Sequence, residues 1–248
     1  MSGAPDDGDR PADDDAHADV LDGLRDGAPP AMARAEVVAL FDDMAPRFDR
    51  LLVDDLEYHV PERVGAVLAR VAPARRFDRA LDLGCGTGLL GAVLRPRVDV
   101  LEGVDLSPRM IGLARARGVY DALHEADVVE HLALTHARFD LVAATDVLVY
   151  LGDLAPLFEA VRAALAGGGL FAASVERYDG VDVRLAPTGR YQHSRGYLER
   201  LADAHDLAVR AFDGSEIRLE AGAFINGWVF VMQAGRPGAQ AARGSRRR

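Results

Sequence analysis

Three glycines at alternate positions, Gly84, Gly86 and Gly88, are the feature of this sequence best suited to binding chemistry. They follow the short apolar run RALDL, which favours a buried β-strand, and they precede TGLLGAVLRP, which favours a helix. Because glycine lacks a Cβ and reaches positive φ, a ligand can lie directly against its backbone. The N–H groups of such a turn and the helix N-terminus attract a phosphate or a carboxylate. The sequence therefore predicts a ligand-binding turn here.

The spacing of the glycines distinguishes between two classes of nucleotide site. A dinucleotide fingerprint has the order G-x-G-x-x-G; counted from Gly84, its third glycine would fall on Leu89. The order present is D-x-G-x-G-x-G, which begins at Asp82. An NAD-dependent dehydrogenase is therefore disfavoured, although it would share the predicted fold.

The residue types disfavour several other kinds of chemistry. All 29 basic residues are arginine, which excludes a P-loop lysine and a catalytic or Schiff-base lysine. The single cysteine, Cys85, excludes an internal disulfide framework and a multi-cysteine zinc site. His124, His131 and His136 share no helical face with an acid in register, so no metal site is expected.

The elements that position the turn predict an α/β fold. After Pro73, short apolar segments alternate with helical segments of about 10–15 residues, which is typical of βαβ units with helices on both faces of a parallel sheet. Two later strand-like segments are joined by only Ala221-Gly222 or a slightly longer loop, and so short a connection joins antiparallel strands. We expect a Rossmann-like, seven-stranded, mostly parallel sheet with a C-terminal antiparallel hairpin.

The two ends of the chain differ in composition from the body. Residues 1–30 are rich in Asp, Gly, Ala and Pro and are expected to be disordered, and residues 235–248 form an expected flexible arginine-rich tail. The folded domain is then residues 31–234. The net charge of −10 makes nucleic acid an improbable partner. No apolar run of about 18 residues and no export signal is present, so we expect a cytoplasmic protein with no membrane partner.

The order D-x-G-x-G-x-G resembles motif I of the class I methyltransferases that use S-adenosylmethionine (SAM). VDLS follows the second predicted strand with Asp105, where this family has an acid that accepts hydrogen bonds from both ribose hydroxyls. Asp127 in HEADVVEHL matches the acid that accepts from the adenine amino group, and ATD stands where the family holds the methionine part. The resemblance implies SAM as the cofactor. It also implies these cofactor-binding residues: Asp82, Gly84, Cys85, Gly86, Gly88, Asp105, Leu106, Asp127, Ala144 and Thr145.

The acceptor side of the site has candidates but no motif. His193 and Tyr191 are the expected catalytic residues, because a histidine has the pKa range of a general base; the alternative is a loop histidine that caps the helix at Ser194. The expected substrate-binding residues are Tyr150, Tyr58 and Arg218. Arg218 would hold a substrate carboxylate or, alternatively, pair with a neighbouring glutamate. One aromatic residue of the amino-terminal helices is also expected at the cofactor or the substrate, from the set Phe41, Phe48 and Tyr58.

The resemblance implies methyl transfer from SAM to a small-molecule acceptor. ATDVLVYL lacks the [DN]-P-P-[YF] pattern of family members that act on nucleobase or amide nitrogen. Oxygen is therefore the expected acceptor atom, with amine nitrogen and carbon left open. The alternative is a non-catalytic module of the same fold that binds SAM or S-adenosylhomocysteine (SAH). FDDMAPRFDRLLVDDLEYHVP, RGVYDALHEAD and GRYQHSRGYLERLA further resemble small bacterial methyltransferases often found behind tetratricopeptide repeats, although the sequence contains no such repeats.

Overall fold

A central β-sheet organises the part of the chain that the structure, a computed structural model, describes: residues 34–50, 52, 56–220 and 222–235. The expected disordered segment, residues 1–30, lies outside the described residues, as does the expected tail apart from Gly235. The strands of the described part are β1 (Phe77–Leu83), β2 (Val98–Asp105), β3 (Ala122–Glu125), β4 (Phe139–Ala144), β5 (Leu165–Tyr178), β6 (Val183–Leu185), β7 (Tyr191–Ser194), β8 (Leu207–Glu220) and β9 (Ala223–Ala234).

The sheet has β1 near its middle. The strands β3, β2, β1, β4 and β5 lie side by side in that order and are all parallel. β9 runs antiparallel to β5, and β8 runs antiparallel to β9. Leu83, the last residue of β1, pairs with Val104 on one side and Ala144 on the other, so three strands end at one level. The mostly parallel sheet and its C-terminal antiparallel hairpin confirm the predicted fold.

The described sheet has nine strands, two more than predicted. β7 pairs in parallel with the last residues of β5, and β6 pairs antiparallel with β7. Glu176 of β5 pairs with Gln192 on one edge and with Gly227 on the other, so β7 occupies the edge of β5 beyond the end of β4. Strands of three and four residues are too short for an alternating hydrophobic pattern, which is why the sequence did not reveal them.

Seven helices and short helical turns cover the described sheet. The helices are α1 (Arg34–Met44), α2 (Val60–Val71), α3 (Leu89–Leu94), α4 (Pro108–Arg117), α5 (Val128–Leu134), α6 (Ala155–Ala164) and α7 (Arg195–Ala204). A single helical turn over Phe48–Arg50 follows α1. α4 begins at Pro108 with Ser107 as its N-cap, because the Ser107 hydroxyl accepts from Met110 N at 3.0 Å and proline suits the first helical position.

Two hydrophobic layers lie on opposite faces of the sheet. Buried residues of α2 and α3 pack on one face with strand residues such as Ala80 and Leu141. Buried residues of α5, α6 and α7 pack on the other face with the next strand residues, Leu81 and Val142. This alternation follows from the two-residue period of a strand. No helix in the described part of the chain is long and apolar enough to span a bilayer.

Candidate active site

The glycine turn connects β1 to α3 at the carboxyl edge of the parallel strands. Gly84, Gly86 and Gly88 have φ values of 61°, 51° and 95°, in the left-handed region that glycine adopts without strain. A Cβ on Gly84 would overlap the side chain of Val147. Gly84 therefore cannot be replaced without strain, because its φ is positive and because the loop after β4 approaches it closely. Gly84 and Gly86 line a cavity at this edge of the sheet.

Asp105, the last residue of β2, supports the turn and also lines the cavity. Its Oδ2 accepts from Gly86 N at 2.8 Å, and its Oδ1 accepts from Ser107 N at 2.9 Å. Burial raises the pKa of Asp105, and these backbone hydrogen bonds oppose the increase. Each carboxylate oxygen accepts more than one hydrogen bond, so both remain able to accept from the hydroxyls of a diol.

Most of the other expected cofactor-binding residues lie at the same cavity. Cys85, Leu106, Asp127 and Thr145 line it, whereas Ala144 is fully buried within β4 and does not. Asp127 is also the N-cap of α5, because its Oδ1 accepts from the backbone N–H groups of the first turn at 2.8 and 3.1 Å. Burial, followed by the charges of neighbouring acids, raises the pKa of the Cys85 thiol, which makes it a poor nucleophile.

Asp82 lies behind the glycine turn and is not among the residues that line the cavity. Its side chain is almost completely buried, and its Oδ2 accepts from the Tyr120 hydroxyl at 2.7 Å. Its Oδ1 has no hydrogen-bond partner. Burial raises the pKa of Asp82 to about 7, even though the hydrogen bond from Tyr120 lowers it. The structure therefore gives Asp82 a position that supports the turn from inside.

Aromatic residues of the amino-terminal helices form another wall of the cavity. Phe41 of α1 meets Phe48 edge to face with ring centroids 5.9 Å apart, and it meets Tyr150 in the same way at 5.6 Å. All three rings line the cavity. The wall consequently presents aromatic surface to any molecule bound at the glycine turn.

Two aspartates attach this wall to the cofactor side of the cavity. Asp42 of α1 accepts a hydrogen bond from the Ser107 hydroxyl at the start of α4. Asp49 accepts a hydrogen bond from the Thr87 hydroxyl in the glycine turn. Asp49 also pairs with Arg117 of α4. These contacts were not predicted, because they join segments that are far apart in the sequence.

The cavity has a volume of about 310 Å³ and two chemically different ends. One end contains the glycine turn, Asp105 and Asp127. The other end contains buried charged side chains and two tyrosines. The rest of the lining is mostly apolar and includes the residues Val37, Leu40, Met44, Leu52, Leu56 and Val147.

Two arginines and three carboxylates form a charge cluster at the second end, in which Arg218 and Glu176 are buried and the other three are partly exposed. Arg218, in β8 and 2% exposed, donates from Nη2 to Glu176 Oε1 at 2.7 Å and to Glu220 Oε2 at 2.8 Å. Arg190 donates from Nη1 to Asp146 Oδ2 at 3.3 Å. The formal charge of the five groups is −1. We define these five residues as the charge cluster; all but Glu176 line the cavity.

Two atoms of the charge cluster have unused hydrogen-bonding capacity. Arg218 Nη1 and Asp146 Oδ1 are both buried and have no hydrogen-bond partner. They lie 3.7 Å apart, which is an ion pair but is too long for a good hydrogen bond. Asp146 has a φ of 57°, and Ser174 Oγ accepts a hydrogen bond from its N–H at 3.1 Å.

Both expected substrate-binding tyrosines lie next to this cluster. Tyr58 shares a hydrogen bond with the Thr145 side chain, and burial followed by the charge of Asp146 raises its pKa well above the usual value. Arg190 lies over the Tyr150 ring, 5.5 Å from its centroid. Burial also raises the pKa of Tyr150. Both phenols are therefore neutral hydrogen-bonding groups near pH 7.

His193 and Tyr191, the expected catalytic residues, are not brought to the cavity. His193 is fully buried in β7, and its Nε2 lies 3.0 Å from Leu151 O. Burial lowers its pKa to about 4. Tyr191 packs against Gly152 at a separate shallow cleft. The expectation of a catalytic role is therefore corrected for both residues, because neither faces a molecule bound at the glycine turn.

Sequence reasoning missed Glu176 and Arg190, and it placed Asp146, as part of ATD, at the methionine part of the cofactor and not in a charge cluster. Arg218 was proposed from its local sequence, and its predicted pairing with a neighbouring glutamate is present at Glu220. The nearest signal for Asp146 was its position directly after β4, at the edge where parallel strands bind ligands. Arg190 precedes the short β7, which the pattern did not reveal.

The sheet and the glycine turn at its carboxyl edge define a class of nucleotide-binding α/β enzymes. A family model described as "Methyltransferase domain" matches residues 56–212. A malonyl-[acyl-carrier protein] O-methyltransferase from Enterobacter lignolyticus is 31% identical over 188 residues, which cover 75% of this chain and 71% of that protein. The chain belongs to this methyltransferase family and is a SAM-dependent methyltransferase.

Two further comparisons agree with this assignment. A ubiquinone biosynthesis O-methyltransferase from Aeromonas salmonicida is 26% identical over 155 residues, which cover 55% of this chain and 65% of that protein. A SAM-dependent methyltransferase structure from Clostridium acetobutylicum superposes with a TM-score of 0.57 at 21% identity, covering 79% of this chain and 99% of that one. The similarity to the Clostridium structure shows the fold.

The residues present at the first end of the cavity fit SAM. Gly86 leaves its backbone open to the cavity, because a Cβ there would meet only Phe48, at 3.8 Å. Asp105 offers two carboxylate oxygens at the end of β2, where a ribose is expected. Phe41 and Phe48 offer ring faces or edges to the cavity, and an aromatic face attracts a sulfonium cation.

Proposed function

We propose that this enzyme transfers the methyl group of SAM to an oxygen atom of a small molecule bound in the cavity. The main support is that the glycine turn, many apolar residues and four members of the charge cluster all line one cavity, whose apolar part we call the chamber. A cofactor at the turn and an acceptor in the chamber would therefore be adjacent. The two curated relatives are both O-methyltransferases by name.

The chain's own residues would bind the cofactor at the turn and align the acceptor. When bound, SAM supplies a methyl group already activated by positive sulfur. Asp105 is proposed to accept hydrogen bonds from the ribose hydroxyls. Asp127 is proposed to contact the adenine end of SAM, and Thr145 its methionine end. Methyl transfer needs the acceptor held in line, water excluded and, for a hydroxyl, a proton removed.

On the acceptor side, the proposed substrate-binding residues are Tyr58, Tyr150 and Arg218. All three line the cavity. The hydrophobic residues between the two ends favour an acceptor with an apolar body, and the charge cluster favours a polar group at one end of it. Residues of α1 line one wall of the chamber, which would limit access of water to the reacting atoms.

The first test of this proposal is binding. We expect Asp105→Ala to weaken SAH binding by about 100-fold, because it removes two charged hydrogen-bond acceptors. Isothermal titration calorimetry measures this change. Asp99→Ala is the matched control, since Asp99 is an acid on the same strand that pairs with the exposed Arg76. Equal SAH affinity in the two variants would contradict the cofactor role of Asp105.

The second test is turnover. Wild-type protein is incubated with methyl-labelled SAM and pooled small-molecule extracts from bacterial cells, and labelled products are identified by mass spectrometry and NMR. We expect an O-methyl product. An N-methyl or C-methyl product would overturn the choice of oxygen. SAH binding without any turnover would favour a non-catalytic binding module.

A further inference from the structure

The unpartnered atoms of the charge cluster specify which chemical group the methyl acceptor must present to them. Arg218 Nη1 needs an acceptor of a hydrogen bond, and Asp146 Oδ1 needs a donor. The two atoms are 3.7 Å apart, a separation that a single oxygen about 2.8 Å from each of them would bridge. Both residues line the cavity, and Arg218 is only 2% exposed.

Of three polar groups that the methyl acceptor could present to these two atoms, a hydroxyl fits best. A carboxylate would accept from Arg218 but would lie against the carboxylate of Asp146 in a cluster that already has a charge of −1. An ammonium would donate to Asp146 but would lie against two guanidinium groups. A hydroxyl both donates and accepts, so it satisfies both atoms without adding charge.

We propose that Asp146 and Arg218 bind the hydroxyl group of the methyl acceptor, and that Asp146 takes its proton during methyl transfer. This inference rests on the proposed function and deepens it. Arg190, Glu176 and Glu220 act as positioning residues, because their hydrogen bonds hold Asp146 and Arg218 in place.

The proton acceptor limits the class of acceptor molecule. A phenol or an enol loses its proton to a carboxylate far more readily than an aliphatic alcohol does, because its conjugate base is delocalised. Arg218 would additionally stabilise the negative oxygen as the proton leaves. The aromatic and aliphatic walls fit a planar apolar body. The acceptor class is therefore a phenol or an enol with an apolar body.

The proposed step balances in atoms and charge. The acceptor oxygen forms a bond to the methyl carbon with its own electron pair, while the bond from that carbon to sulfur breaks and its electrons stay on sulfur. The hydroxyl proton moves to Asp146 Oδ1. The positive sulfonium thus becomes a neutral thioether and the Asp146 carboxylate becomes a neutral acid, which later loses its proton to water.

The test uses three probes with the same butylphenyl body and different polar groups: 4-butylphenol, 4-butylbenzylamine, which is an ammonium ion near pH 7, and 4-butylbenzoic acid. Binding to the complex of the full chain with SAH is measured by calorimetry at about 1 mM probe, and SAM turnover by SAH release. We expect binding and methylation of 4-butylphenol only. No binding of 4-butylphenol to an SAH-saturated protein overturns the inference.

The decisive variant is Asp146→Asn, which keeps the size of the side chain and removes the proton acceptor. We expect kcat with 4-butylphenol to fall by about 100-fold or more, while SAH affinity stays within about twofold. With 4-nitrophenol, which is largely ionised in mildly alkaline buffer, the loss should shrink to less than about tenfold. A purely structural role of Asp146 would affect both phenols equally and would overturn the inference.

Two further variants keep the result interpretable. Asp179→Asn, the same change at an exposed acid outside the cavity, should leave kcat unchanged. Arg218→Lys should weaken 4-butylphenol binding by about tenfold or more, because it keeps the charge and loses the Nη1 donor. If the phenol is methylated and Asp146→Asn retains full kcat, the inference fails and the proposed function stands. Methylation of the benzylamine or the acid alone rules out the hydroxyl-binding pair. Transfer to nitrogen would also contradict the proposed function.

Discussion

Replacing Asp82 with asparagine should change how the stability of the protein depends on pH. Asp82 is almost fully buried behind the glycine turn, and only one of its oxygens accepts a hydrogen bond. Burial raises its pKa from 3.8 to about 7. Between these two values the folded protein holds a proton that the unfolded chain has lost. Raising the pH through this window therefore destabilises the fold.

The size of the effect follows from the difference between the two pKa values. Each pH unit within the window costs about 1.4 kcal/mol of unfolding free energy, so the full window corresponds to about 4 kcal/mol. Between about pH 5 and about pH 8, the expected loss from Asp82 alone is about 2–3 kcal/mol. Asparagine has no ionisable group, so Asp82→Asn should not show this loss.

Urea unfolding of both proteins without SAM, at about pH 5 and about pH 8, measures the effect. The quantity of interest is the change with pH in the difference between the two unfolding free energies, because contributions common to both proteins cancel. We expect the difference to move by about 2–3 kcal/mol in favour of the asparagine variant as the pH rises. Asp179→Asn, at an exposed site, should show no such movement. A pH-independent difference for Asp82→Asn would refute the reasoning.

Two other predictions follow from the site. Gly84→Ala should weaken SAH binding, measured by calorimetry, by about tenfold or more, because the φ of 61° at Gly84 and the overlap with Val147 force the turn to move. The control is Gly112→Ala, where a Cβ meets open space within α4. This variant should instead raise the free energy of unfolding by about 0.5–1 kcal/mol. His193→Asn should reduce kcat by less than about twofold while lowering the melting temperature, since His193 is buried outside the cavity. A tenfold fall in kcat at unchanged stability would place His193 at the reaction after all.

The cofactor side of the site was largely readable from the sequence. Gly84, Gly86 and Asp105 are close together because β1 and β2 are adjacent parallel strands that end at one edge. Such relationships are encoded locally, by an apolar run, a turn of glycines and an acid after the next strand. Positive φ at the glycines follows from the same short segment. For this reason the fold, the family and the cofactor could be inferred from the sequence alone.

The acceptor side was decided only by the tertiary structure. Asp146, Glu176, Arg190 and Arg218 come from four separate parts of the chain, and no spacing in the sequence reports that they meet. The sequence also could not show that His193 faces Leu151 and not the cavity. Local patterns determine which strand or helix a residue occupies. Burial, unpartnered atoms and the direction in which a side chain points depend on long-range packing, and those properties determine what the acceptor end of the cavity can bind.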